Sequence, residues 1–312
     1  MINYTIIIPH KNILQLLQRC LDSIPRREDI QIIVVDDNSD AEQVDFANFP
    51  GLNNPYVEVI FGKNEAGRKG AGYARNLGLE KAKGKWVIFA DADDFFMPCF
   101  SDALEKYKDN ENDIVFFKAT SVDSDTLAPT FSNRHYHVNF PLEEIQQTNN
   151  WDIAVQIYVP WGKFIKRALI EQNHIRFQEV PCSNDILFSV KATTASAKKT
   201  ISDDVIYCIT YRNESLTGNR SVHILQFRLG IYEDVVCYLK PLKKEKLIAR
   251  DIFRLWLEMF SINKKTALKL LPRMIQMCGI NAFWTYRKYM HYDYRNSYVW
   301  RGLRKMKRLI YK

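Results

Sequence analysis

Five short apolar runs constrain this chain most: Tyr4–Ile8, Gln31–Val35, Val57–Phe61, Trp86–Ala90 and Asp113–Phe117. Each is rich in β-branched residues and nearly continuous rather than alternating, the pattern of strands covered on both faces in a largely parallel sheet. Helical patterns lie between them. Ile13, Leu14, Leu17, Leu21 and Ile24 recur at a helical period, and Ala71–Lys83 is rich in Ala, Leu, Glu and Lys until Gly84 stops it. Strand and helix in alternation specify an open α/β domain with right-handed crossovers.

The rest of the chain is less regular. A loop-rich stretch, Ser121–Asn150, leads into an expected helix near Leu142–Ile157, and an apolar run at Val205–Thr210 closes the body. After Ser221, amphipathic segments at about 225–239, 245–261, 264–278, 280–291 and 297–311 predict a helical appendage. The expected division is a catalytic domain over 1–220 and a basic, aromatic-rich helical region over 221–312. Charge divides in the same way. Residues 225–312 hold 20 Lys and Arg against six Asp and Glu, a balance of +14, whereas residues 1–224 hold 24 against 30, a balance of −6.

Composition excludes several classes. With 312 residues, 46% of them hydrophobic, the chain can bury a large core and is too apolar to be disordered. Six cysteines are scattered singly, with no CxxC pair, which argues against a structural zinc site and for reduced thiols. No apolar run approaches the ~20 residues that cross a bilayer. Met1–Thr5 enters the first strand directly, without the basic and small-residue flanks of a signal peptide. A cytoplasmic location is expected, peripheral on the inner face of the cell membrane if the basic tail engages lipid.

Ligands of open α/β sheets bind beyond the carboxyl ends of the strands. Strand one ends in Pro9-His10-Lys11-Asn12, strand two in Asp36-Asp37-Asn38-Ser39-Asp40, and strand four in Asp91-Ala92-Asp93-Asp94. Two unit charges about 4 Å apart cost roughly 4 kcal/mol at an effective dielectric near 20. Carboxylates so crowded make sense around a divalent cation, and hard oxygen donors suit Mg²⁺ or Mn²⁺. The competing reading of either cluster is a polar turn capping a helix.

These runs resemble the opening of family 2 glycosyltransferases with the GT-A fold. The resemblance rests on Thr5-Ile6-Ile7-Ile8-Pro9, Ile32–Ser39, Gly72-Tyr73-Ala74-Arg75-Asn76-Leu77-Gly78-Leu79 and Gly84–Asp94, in that order. It is strongest over residues 4–98, continues to about 217 and does not include the tail. It implies a Rossmann-like, mainly parallel sheet flanked by helices, and an inverting, metal-dependent transfer from a nucleotide-sugar donor, expected to be a UDP-sugar. Asp37 would accept a hydrogen bond from the base. Pro9, His10 and Asn12 would line the nucleoside pocket, with His10 standing where many relatives carry Thr or Ser. Asp93 would ligate the metal, and Asp91 would share its shell or face the ribose. Arg75 would approach the sugar or diphosphate, with a surface position on an amphipathic helix as the alternative; Arg68 and Lys69 would assist or form an exposed basic loop. Pro181–Phe188 resembles the family's acidic motif with Asn184 in place of Glu, which makes Asp185 the expected general base; a helix cap is the alternative. Trp161 would stack on the acceptor, with a buried core tryptophan as the alternative, Arg212 would contact phosphate, and His223 is a lesser candidate metal ligand.

The tail interleaves Phe283, Trp284, Tyr286, Tyr289, Tyr292, Tyr294, Tyr298 and Trp300 with Arg and Lys. That composition suits a helix in the headgroup region of an anionic membrane, where a polyprenyl-diphosphate-linked saccharide acceptor would be found. Packing on the catalytic body is the alternative, and no nucleic acid partner is expected. Two other functions compete. A nucleotidyltransferase would carry a Gly-rich phosphate loop after strand one, where this chain has Pro9–Asn12, and a non-catalytic nucleotide-sugar-binding protein would bind donor without turnover.

Overall fold

The computed structural model describes residues 1–62, 70–129, 134–212 and 221–279. Arg68, Lys69 and the aromatic tail from residue 280 lie outside the described residues. The chain divides into two compact units, Met1–Asn213 and Glu214–Lys312.

The first unit is a mixed α/β fold built on an eight-stranded sheet. Its strands are β1 (Tyr4–His10), β2 (Ile30–Asp36), β3 (Val57–Phe61), β4 (Trp86–Phe89), β5 (Phe95–Phe96), β6 (Ile114–Asp123), β7 (Lys163–Lys166) and β8 (Lys199–Tyr211), in the order β3-β2-β1-β4-β7-β6-β8-β5. β1 pairs in parallel with β2 and β4, β2 with β3, and β6 with β8; β7 and β5 pair antiparallel. All seven residues of β1 and all four of β4 are buried, which is why both read as unbroken apolar runs.

Helix α1 (Leu14–Asp22) buries Leu17, Cys20 and Leu21. Helix α2 (Ala71–Lys81) lies unusually close to its neighbours. A Cβ on Gly78 would come within 2.4 Å of the Ile7 side chain, and one on Gly72 within 2.1 Å of the Gln178 carbonyl. Only glycine permits that approach, and it seats Arg75, between them, in the protein interior. Helices α3 (Phe100–Tyr107), α4 (Tyr136–Thr148), α5 (Arg167–Gln172) and α6 (Asp185–Ala195) complete the unit.

Two expectations need correction. The stretch taken as loop contains α4, whose Val138, Leu142 and Ile145 are buried despite Pro141 within the helix. Asn139 docks it by accepting from the Ala119 N–H at 3.0 Å and donating to the Ala119 carbonyl at 2.9 Å on β6. The helix expected at 142–157 is therefore two elements. Asn149 ends α4 in the left-handed region at φ 53°, and Asn150 caps a separate 3-10 turn, Trp151–Gln156.

The second unit is helical where described, with α7 (Val222–Leu239), α8 (Ala249–Ile262) and α9 (Lys264–Cys278). Ser221 and Asn263 cap α7 and α9 through their side-chain oxygens. Trp256 on α8 donates its indole N–H to the Ala267 carbonyl on α9 at 2.8 Å. Among the described residues no helix is long and apolar enough to cross a membrane.

Beneath the rim of the first unit an aromatic trio joins β4, α6 and the irregular segment between α5 and α6. Phe177 stacks on Phe188 at 3.8 Å, and Phe89 meets them edge-on at 5.1 and 5.3 Å. Phe188 is fully buried. Phe188→Ala should therefore cost about 3–5 kcal/mol in urea unfolding followed by tryptophan fluorescence. Leu52→Ala on the surface should change stability by less than about 0.5 kcal/mol. Equal costs would show that the trio is not a packing centre.

Candidate active site

The parallel register of the sheet assembles the polar rim. β1 and β2 run in step from Tyr4 opposite Ile30 to His10 opposite Asp36, and β1 and β4 from Tyr4 opposite Trp86 to Ile7 opposite Phe89. Their carboxyl ends therefore release His10, Asp36–Asp37 and Asp91–Asp94 along one edge. Two cavities, of about 340 and 400 Å³, lie instead toward the opposite ends of β2 and β3, where Ile30 and Val57 line both. They contain none of the rim acids.

At the β2 end, His10 is structural as the protein stands. Its Nε2 accepts the Ile13 N–H at 3.1 Å, so Nδ1 carries the proton and donates to Asp36 at 2.8 Å. Asp36 also accepts from the Ser39 hydroxyl at 2.5 Å and the Ser39 N–H at 2.9 Å. Burial works to raise its pKa, but the bonds from His10 and Ser39 outweigh burial and hold it below the usual carboxylate range. Asn12, at φ 57°, closes the turn by accepting the Asp40 N–H at 2.8 Å. Pro9 is buried in β1, and the His10 ring packs on Phe49 at 5.0 Å. Asp37 stands at the edge of this framework. One carboxylate oxygen accepts the Gly70 N–H at 2.8 Å, and the other has the Lys11 ammonium 3.9 Å away.

The second acidic cluster is tighter. Oxygens of Asp91, Asp93 and Asp94 lie within 4.8 Å of one another. β8 and α1 hold the turn from both sides: the Tyr207 hydroxyl accepts the Asp91 N–H at 2.8 Å, and Thr210 Oγ1 and Arg19 Nη2 donate to the Asp93 carbonyl at 2.6 and 2.9 Å. Asp94 accepts the Thr210 N–H at 2.7 Å. Burial, then the charges of Asp93 and Asp91, push the Asp94 pKa well above the carboxylate range. Asp94 is buried with its carboxyl group bonded to Thr210, whereas Asp91 and Asp93 are partly exposed. Asp91 and Asp93 remain as two hard oxygen donors at the rim, a set that suits Mg²⁺ or Mn²⁺.

Arg75 links this cluster to the expected base. Its guanidinium donates to Asp91 at 2.6 Å and to the Asn184 side-chain carbonyl at 2.8 Å, with the Phe177 ring 5.3 Å beneath it. Asn184 thus accepts Arg75 where the family's acidic motif has Glu. Asp185 is the first residue of α6 and the acid of its first turn, and the side chain of the N-cap residue Asn184 makes no cap bond. Burial raises the Asp185 pKa, opposed by the positive charge of Arg75. Lys163, which is fully buried, donates to the Ile157 carbonyl at 2.8 Å, and burial lowers its pKa to about 7.

The structure brings Arg75, Asp91, Asp93 and Arg212 together, the last pairing with Asp93 at 2.9 Å. Of the two readings of Trp161, the structure places it in the core. Its ring is 2% exposed and stacks on Tyr207 at 5.2 Å, so it supports the residue that holds Asp91 rather than presenting an open face. His223 belongs to the second unit. Arg19, Asn76 and Tyr207 escaped the sequence reading. Asn76 clamps the Phe177 peptide by donating to its carbonyl at 3.0 Å and accepting its N–H at 2.9 Å.

The sequence profile described as glycosyl transferase family 2 matches residues 5–173, more than half of the chain. The chain belongs to glycosyl transferase family 2. Among family 2 relatives, it is 27% identical to the uncharacterized glycosyltransferase EpsJ of Bacillus subtilis over 68% of this chain and 62% of that protein. It is 24% identical to the poly(ribitol-phosphate) beta-glucosyltransferase of Bacillus spizizenii over 85% of this chain and 42% of the relative. The chain therefore spans less than two thirds of the length of these two relatives. Among solved structures, S. aureus TarS 1–349 in complex with UDP-GlcNAc superposes with a TM-score of 0.62 at 21% identity, covering 90% of this chain and 81% of that one. The mannosyltransferase PcManGT of Pyrobaculum calidifontis, in complex with GDP-Man and Mn²⁺, gives 0.56 at 17% identity, covering 97% and 86%. These likenesses establish the GT-A fold.

Because Arg75 is buried with two polar partners, Arg75→Met should strand Asp91 and the Asn184 carbonyl together. A loss of about 1–3 kcal/mol is expected in urea unfolding, moderated by the partial exposure of Asp91. A loss below about 0.5 kcal/mol would show that the bridge is not structural.

Proposed function

We propose that the protein is an inverting, metal-dependent glycosyltransferase that moves a sugar from a UDP-sugar to a saccharide hydroxyl in surface polysaccharide synthesis. The observation that carries this is the Arg75 bridge, which sets the carboxylate pair Asp91 and Asp93 beside the helix that begins at Asp185. Support for the donor and metal comes from the two structural neighbours, described as complexes with UDP-GlcNAc and with GDP-Man and Mn²⁺. Support for the acceptor class comes from the poly(ribitol-phosphate) transferase among the relatives.

Asp93 and Asp91 would hold the divalent cation, which when bound supplies positive charge against the leaving diphosphate. Asp37 receives an N–H of the base on the carboxylate oxygen that faces Lys11. Arg75 keeps Asp91 oriented and adds positive potential behind the diphosphate. Asp185 takes the proton of the acceptor hydroxyl as that oxygen bonds to the anomeric carbon from the face opposite the departing UDP. A carboxylate raised by burial is a stronger base than an exposed one, so the environment of Asp185 fits this role. In this scheme residues 1–220 carry the chemistry, and the basic region 221–312 meets an anionic membrane surface, where a polyprenyl-diphosphate-linked acceptor would be presented.

Asp93→Ala should abolish metal-dependent release of UDP, while Asp185→Asn should retain UDP binding and lower transfer by about 10²–10⁴-fold. The active form of Asp185 is the carboxylate. Transfer should therefore fall as pH drops through its pKa, along an acid limb lying above the ~3.9 of an unperturbed Asp. Full transfer by Asp185→Asn would remove it as the base. The full chain should also sediment with phosphatidylglycerol vesicles and not with phosphatidylcholine vesicles. Equal behaviour with both would contradict an electrostatic membrane role.

A further inference from the structure

Both carboxylates of the expected metal site carry an arginine, and the two arginines differ. Arg75 is 6% exposed, bonded to Asp91 and Asn184 and seated over Phe177. It is part of the framework. Arg212 is 30% exposed and reaches Asp93 through Nη2 alone. Its Nε–H, like that of Arg75, is buried without a hydrogen-bond partner among the described residues, so what sets Arg212 apart is its exposure and its single bonded partner. A guanidinium presents N–H groups in a planar fork suited to two oxygens of one oxyanion, so the pair with Asp93 leaves Arg212 under-used.

Building on the transferase reading, we infer that Arg212 is a tethered competitor for Asp93, handed from that carboxylate to the donor's diphosphate when the nucleotide binds. The Arg212 guanidinium lies against the Asp93 carboxylate at 2.9 Å. In the nucleotide-free protein it neutralises Asp93 and repels an approaching divalent cation. An oxyanion that engages both Nη2 and Nε draws Arg212 away and returns the Asp93 electron pairs to the cation. Diphosphate and cation thus favour each other through one side chain, in addition to their direct attraction. The coupling is reciprocal by linkage.

The test is Mn²⁺ binding to the full chain, read as loss of the free-ion paramagnetic resonance signal, for wild type, Arg212→Gln and Arg212→Lys, with and without UDP. Without nucleotide, Arg212→Gln should bind Mn²⁺ about two- to fivefold more tightly than wild type. The tightening of Mn²⁺ binding by saturating UDP should be smaller in Arg212→Gln than in wild type. Arg212→Lys keeps the charge but not the fork. It should match wild type without nucleotide and show the reduced UDP effect, a test that survives if the Gln variant fails to fold. Mn²⁺ affinity in Arg212→Gln that is unchanged or weaker without nucleotide overturns the exchange alone, provided wild type binds both ligands. A wild-type protein that binds neither Mn²⁺ nor UDP overturns the transferase reading and the exchange with it.

Discussion

The Arg75 guanidinium is the interaction on which the site depends. A cation buried in the interior of a sheet protein is costly unless it is paired, and here both Nη groups are bonded, one to Asn184 and one to Asp91, with an aromatic face beneath. The same contacts fix geometry. Asp91 follows β4, Asn184 precedes α6, and Arg75 on α2 spans the two, so the acidic turn and the expected base are positioned by one side chain. Gly72 and Gly78 explain how α2 comes close enough to do this.

Crowding of like charge is relieved differently at each position. Asp91 has Arg75, Asp93 has Arg212, and Asp94, buried behind them, is driven toward its neutral form. At the neighbouring strand end, His10 and Ser39 bond to Asp36 and hold its pKa low, while the buried Asp37 accepts the Gly70 N–H. Acids adjacent in sequence thus have different partners and different burial. Tyr207, stacked on Trp161, anchors the Asp91 N–H, so the core reaches directly into the rim.

The parallel half of the sheet was legible because strands buried on both faces leave continuous apolar runs. β7 was not, since Lys163–Lys166 begins and ends in lysine and one of those lysines is buried. β5 has two residues and leaves no pattern. α4 was obscured by Pro141, although its buried positions keep a helical spacing. In the site, Asp91, Asp93, Arg75 and Asp185 stood out through their motifs. Arg19 and Tyr207 did not, because their contacts with the acidic turn span 74 and 116 positions along the chain and have no local signature. Trp161 shows the converse: its motif was visible, and its burial was decided by packing on a distant tyrosine.

Anomalous diffraction at the manganese edge, from crystals grown with Mn²⁺ and UDP, addresses the central claim most directly. The account predicts one strong peak at about 2.0–2.2 Å from a carboxylate oxygen of Asp93, next to the diphosphate, with Arg75 still bridging Asp91 and Asn184. A nucleotide bound with no peak at that turn, or a peak accompanied by a displaced Arg75, would contradict it.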